Sequence, residues 1–238
     1  MGVMDSYIHI PPTRISAKTG IKMRTSILDL WLGDVRRFYY SRESLKRAQT
    51  TWYGEALNPQ QKHDVCCKMR KDYGALFGRV AAGQFDDESW PNDVEGLLSF
   101  VILSHPLGRR IHKNKCEAYS LDEQAINRVK RSIDSGIHRQ IMVIERKFLY
   151  LPLVYSENIG DHTLAKECHI QTVQDAKDRR GYQHIQAKVE ADLECLNEHT
   201  AVLERFGRYP HRNAVLQRTS TQEEMEFLED SSTKSYGV

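Results

Sequence analysis

The run Leu97-Leu98-Ser99-Phe100-Val101-Ile102-Leu103 is apolar on nearly every side. A helix with no polar face cannot lie on a surface, so the rest of the chain must wrap around it. Trp90-Pro91-Asn92 forms the turn before it, with Asn92 or Asp93 as N-cap, and Pro106 and Gly108 are expected to break it. The chain has 238 residues, 40% of them hydrophobic and 28% charged. That is ordinary for a soluble globular protein and enough to bury a sizeable core.

The other segments also carry spacings of three and four rather than two. Val65, Met69, Tyr73, Leu76, Phe77 and Val80 predict a helix over about 60–82, ended by Gly83. Ile27 to Leu32 reads as a short apolar helix stopped by Gly33, and the aromatic-rich stretch 38–53 reads as mostly loop. Ser120-Leu121-Asp122-Glu123 has the form of a capping box, opening a helix that Gly136 stops. An apolar segment over 141–153 is interrupted by Pro152; polar and amphipathic helices follow over about 158–178 and 182–206. Thr221 to Glu224 is a second capping box. There is no βαβ rhythm, no glycine-rich phosphate loop and no Asn-Gly hairpin. The expectation is an all-α single domain of about eight helices over 21–230, after a partly ordered extension (1–20) and before a frayed polar tail (231–238).

The net charge of +2 gives no global field, so no nucleic-acid footprint is expected; Arg36, Arg37, Arg42, Lys46 and Arg47 read as a solvated face. Five cysteines without CxxC spacing argue against a disulfide framework or zinc site and suggest a reducing, cytoplasmic setting. No apolar run is long enough to span a bilayer. Met1-Gly2 begins a loose myristoylation pattern, and one acyl chain alone holds a membrane only weakly. No metal or cofactor is expected. His162 and His169 could share a helix face, but no acid or cysteine pattern completes a metal box.

Arg205 to Arg218 places four arginines, a histidine and two aromatics in fourteen residues where the long helix ends. Guanidinium groups there could form a polar clasp, bridging helix carbonyls and carboxylates such as Glu157. They could equally form an anion or carbonyl site, in which a ligand balances buried positive charge.

Five stretches in order resemble a family known as the domain of unknown function 924. Ile27 to Gly33 resembles its VLDFWFG, Ala118 to Asp122 its AFATD, and Phe148 to Glu157 its FFYLPLEHSE. Arg205-Phe206-Gly207-Arg208-Tyr209-Pro210-His211-Arg212-Asn213 is nearly its RFGRFPHRN, and Ser220 to Glu224 is similar to its STPEE. The resemblance covers about 22–230 and implies an all-α fold of layered helices like tetratricopeptide repeats, without implying an activity. The departures are informative. Where the family has LLDQFPRN this chain has Leu103 to Arg110, with His105 for the acid, Pro106 for the glutamine and Arg110 for the asparagine; Tyr155-Ser156-Glu157 replaces HSE.

These departures suggest a rebuilt pocket that lost a carboxylate and gained a cation. One expectation is an enzyme of specialised-metabolite biosynthesis, working without a cofactor on an apolar molecule that carries a carbonyl or carboxylate. His105, Arg208 and His211 would be catalytic donors, and Arg109, Arg212, Asn213, Tyr155, Glu157 and Trp31 would bind substrate. Shape and donors would then promote a cyclisation, isomerisation or pericyclic step. The other expectation is a helical-repeat interaction module clamping an acidic peptide or C-terminal carboxylate. A homodimer is possible in either case.

Overall fold

Ser16, Ser41, Asn58, Asp93, Asn158 and Thr221 each place a side-chain oxygen on a backbone N–H of the following turn, and each starts a helix. The computed structural model describes residues 14–230, and among them every regular element is helical. In chain order these are α1 (Ala17–Arg37), α2 (Arg42–Tyr53), α3 (Pro59–Ala81), α4 (Val94–Ile102) and α5 (Gly108–Ile111). They continue as α6 (Asp122–Asp134), α7 (Arg146–Val154), α8 (Ile159–Lys177), α9 (Gln183–Phe206) and α10 (Gln222–Glu229). The frayed tail and the Gly2 acylation pattern lie outside the described residues.

The apolar helix is central, as its sequence requires. Every residue from Gly96 to Ile102 is buried, and α1, α6 and α7 pack around it. Each large side chain there contributes about 1.5–3 kcal/mol by leaving water. Around this centre the chain folds into antiparallel pairs. In the first, α2 lies along α1, with Trp52 Nε1 donating to the Trp31 carbonyl at 2.8 Å. In the second, α8 lies along α9, with His162 meeting Thr200 at one end and Lys177 meeting Glu190 toward the other. Gly207, at φ +68°, ends α9 in the left-handed region where glycine is unstrained. The result is one all-α domain of helical layers.

Five local expectations need correction. Gly33 does not stop α1, which starts at Ala17 and reaches Arg37. A helical glycine costs only about 1 kcal/mol, and burial of Val35 beyond it carries the helix on. The stretch read as loop is α2, whose Leu45, Ala48 and Trp52 make the inner stripe. The capping box at Ser120 is not made: Ser120 has helical φ and ψ, and its hydroxyl turns back to the Glu117 carbonyl. Arg36 is not a solvated residue, because it grips buried Glu145 at 2.6 and 2.8 Å, with the Tyr40 hydroxyl donating to the same carboxylate.

The fifth matters most for the site. Pro106 and Gly108 do not end the helix after Ile102. A π turn over Leu103–Leu107 takes up Pro106, and α5 follows directly. Such widened turns absorb a residue that cannot donate to the helix ladder. Gly108 serves close packing: a Cβ there would lie 2.6 Å from the buried Phe77 ring of α3. Gly108→Ala is therefore expected to destabilise the fold by about 1–3 kcal/mol and to displace Arg109, measurable as a lowered urea midpoint at unchanged m-value.

Candidate functional site

The π turn sends the chain past the ends of several helices, and a cavity of about 200 Å³ opens there. His105 and Arg109, four apart, share one face of this segment and line the cavity. Trp31 of α1, Trp52 of α2 and Phe148 of α7 form an aromatic wall, with Trp52 and Phe148 ring centroids 4.9 Å apart. Tyr155 closes the C-terminal end of α7, and His211 and Arg212 enter from the short 3₁₀ turn Pro210–Arg212. Lys147 of α7 and Asp192 of α9 also line the cavity.

The cationic groups differ in how they are satisfied. Arg109 is 7% exposed and pairs with Asp122 at 2.6 Å, and its guanidinium covers the Tyr119 ring at 4.0 Å. Arg110 donates to the Thr51 and Trp52 carbonyls at the end of α2 and lies over Trp31. Arg212 is 5% exposed and pairs with no carboxylate among the described residues. It donates one hydrogen bond, Nη2 to the Tyr155 carbonyl at 2.8 Å, and its Nε is buried without a partner. Burial and then the neighbouring Arg109 disfavour its charge. Arg109 and Arg212 both face Tyr119, Arg212 at 5.1 Å.

Of the three imidazoles that line the cavity, His105 and His211 lie nearest the guanidinium groups and are neutral at physiological pH. Burial, followed by Arg109, Arg212 and His199, pushes His105 well below its ordinary 6.5. Burial and then Arg212 hold His211 at about 4. His105 Nε2 is buried without a hydrogen-bond partner, and its ring lies 4.9 Å from that of Tyr155. Burial raises the Tyr155 phenol, so it stays protonated. Burial works against the Lys147 charge, but Asp192 at 2.6 Å outweighs it and holds the ammonium above the usual range. Lys147 is therefore a cation and not a free amine nucleophile. No group of three histidine, cysteine or acidic side chains able to hold a metal occurs among the described residues.

Of the residues expected from sequence, His105, His211, Arg109, Arg212, Tyr155 and Trp31 come together around this cavity. Arg208, Asn213 and Glu157 do not line it; they build the clasp. Arg208 grips Glu224 at 2.6 and 2.8 Å, Asn213 donates to the same carboxylate, and Arg218 grips Glu157, which also accepts from the Tyr209 backbone N–H. The stretch therefore divides: its outer arginines tie α10 and the end of α7 together, while His211 and Arg212 turn inward to line the cavity. Lys147 and Asp192 were missed. A charged pair, Arg146-Lys147, within the apolar segment 141–153 was the available signal for one; the partner lies 45 positions on, beyond any local pattern.

The clasp has a pH signature. Arg208 first, then the Thr221 N–H and Asn213, hold the Glu224 carboxyl at about 2 against its ordinary 4.5, although burial opposes this. A folded-state value below the unfolded one gives stability that is full above about 4.5 and is lost as pH falls toward about 2. Glu224→Gln should lower Tm at pH 7 by several degrees, and the deficit should shrink between pH 4.5 and 2. Thermal unfolding of both proteins across that range tests it.

Comparison with known proteins agrees with this architecture. The sequence profile of the family described as "Bacterial protein of unknown function (DUF924)" matches residues 27–232. A solved structure of a protein of unknown function, ATU0120 from Agrobacterium tumefaciens, superposes with a TM-score of 0.61 at 22% identity, covering 88% of this chain and 98% of that one. That likeness is one of fold. No curated protein gives a significant match. No described helix is long and apolar enough to cross a membrane. With the profile spanning most of the sequence and the helical fold shared, the chain belongs to the DUF924 family.

Proposed function

We propose that this protein is an enzyme acting on a small, largely apolar molecule whose carboxylate or carbonyl oxygen binds between Arg212 and His105. One observation carries the reading: a guanidinium buried in a cavity wall with an orphaned Nε and no carboxylate, beside the orphaned Nε2 of a neutral histidine. A buried cation in that state is costly, and an oxyanion lowers the cost. Aromatic walls suit an apolar body, and about 200 Å³ falls below the roughly 300–1,000 Å³ of drug-sized sites, so the ligand is compact.

The chemistry then rests on the chain's own groups. Arg212 and neutral His105 donate to an oxygen on which negative charge develops. Trp31, Phe148 and Trp52 restrict the shape of the bound molecule, which favours a unimolecular step. This suits isomerisation or cyclisation within a biosynthetic sequence. A compact site of about 200 Å³ also weighs against the peptide-binding alternative, which needs an extended groove.

Isothermal titration with 3-phenylpropanoate and its amide provides the test. The acid should bind and the amide should bind more weakly. Arg212→Gln should weaken the acid roughly 10- to 100-fold, the worth of a charge-assisted hydrogen bond, while Arg208→Ala leaves it unchanged in folded protein. Equal binding of acid and amide, or an Arg212→Gln variant with full affinity, overturns the carboxylate site. A peptide that binds only with a free C-terminus, where small acids fail, would transfer the site to an interaction module.

A further inference from the structure

A second polar group, the Lys147–Asp192 pair, lines the same cavity. Lys147 Nζ and Asp192 Oδ1 are 2.6 Å apart, and the Lys147 ammonium stands 5.3 Å from the Tyr53 ring centroid and 5.7 Å from that of Phe148. Lys147 is only 11% exposed at its side chain and Asp192 20%. Asp192 Oδ2 is buried and accepts no hydrogen bond. The same condition holds for Arg212 Nε, His105 Nε2 and Trp31 Nε1, all on residues that line this one cavity. Buried polar atoms are nearly always satisfied, so four such atoms around one space indicate the polarity of what fills it.

The chemistry of this pair selects the ligand group. A carboxylate ligand would meet Asp192 as a like charge. A ligand ammonium would meet Lys147 as one. A carbonyl could accept from Lys147 but would leave Asp192 Oδ2 orphaned. Of these groups only a hydroxyl both donates and accepts, so it can give its proton to Asp192 Oδ2 while receiving a hydrogen bond from Lys147. We propose that the cavity binds a hydroxy acid, an alcohol or phenol oxygen seated between Lys147 and Asp192 and a carboxylate at Arg212, with an apolar spacer against the Trp31, Trp52 and Phe148 rings. This rests on the carboxylate reading above and adds the second contact.

The pair has a role here that stability alone does not require. A buried ion pair is often no better than well-packed apolar residues of similar volume. Retained at a cavity wall with one carboxylate oxygen open, it discriminates. A site built to hydrogen-bond a hydroxyl rejects the analogue lacking it far more strongly than an apolar pocket can reject an extra methylene.

The test compares 3-(4-hydroxyphenyl)propanoate with 3-(4-methoxyphenyl)propanoate and 3-phenylpropanoate by isothermal titration, on the wild-type chain and on a Lys147→Met/Asp192→Leu double variant. Removing both charges together avoids stranding either one. The hydroxy acid should bind the wild type at least tenfold more tightly than both analogues. In the double variant that preference should collapse to about twofold or less, while 3-phenylpropanoate still binds in an Arg212-dependent way. Acids that bind through Arg212 with no hydroxyl preference, or a preference that survives the double variant, overturn the hydroxy-acid proposal alone. Failure of the carboxylate reading looks different: 4-ethylphenol would match the hydroxy acid in affinity, showing that the acid group contributes nothing. If none of these probes binds either protein, both are overturned.

Discussion

A guanidinium can be buried only where oxygens or aromatic faces replace its water. This requirement organises much of the protein. Arg36 joins α1 to the start of α7 through Glu145, and Arg146 reaches Asp175 together with the Ile141 and Arg139 carbonyls. Arg128 lies over Phe100 and donates to the Trp90 carbonyl and to Asn92. Arg110 closes the end of α2. In each case at least one bond links elements distant in sequence, so the arginines act as ties between layers that apolar packing holds together. Arg212 meets the requirement least fully, and it does so at the wall of a cavity.

The cavity exists because helix ends converge on it. The π turn at Leu103–Leu107 keeps the central helix going past Pro106, which carries Arg109 and Arg110 beyond His105 and into contact with Tyr119 and α2. A break at Pro106 would have pointed this segment elsewhere. The C-terminal carbonyls of α7 then offer Arg212 its one hydrogen bond, the favourable place for a cation at a helix terminus. Local backbone chemistry, packing and charge therefore reinforce one another at the same spot.

The same geometry keeps the histidines neutral. His105 is buried and His211 partly buried, and both lie among guanidinium groups, so protonating either costs its desolvation first and then adds a positive charge to a positive field. Neutral imidazoles remain good hydrogen-bond partners, and a bound oxyanion would ease their protonation by offsetting that field. The clasp around Glu224 and Glu157 is the complementary case: carboxylates there meet their arginines directly, leaving that side of the Arg205–Arg218 stretch structural.

The all-α class, the buried central helix, a cap at Asn92 or Asp93 and the cap at Thr221 were legible in the sequence, because each follows from residues within a few positions of one another. So were the concentration of arginines over Arg205–Arg218 and the departures at His105 and Arg110. Local pattern failed where long-range packing decided: Gly33 and Pro106 are strong breakers by type, yet burial of Val35 and a π turn carried both helices through. The division of one arginine-rich stretch into a clasp at Arg208 and a cavity wall at Arg212 was also a tertiary decision, set by Glu224 on α10 and the Tyr155 carbonyl on α7. Lys147 and Asp192 meet only because α7 and α9 pack together, since a side-chain pair 45 residues apart leaves no trace in periodicity, spacing or composition.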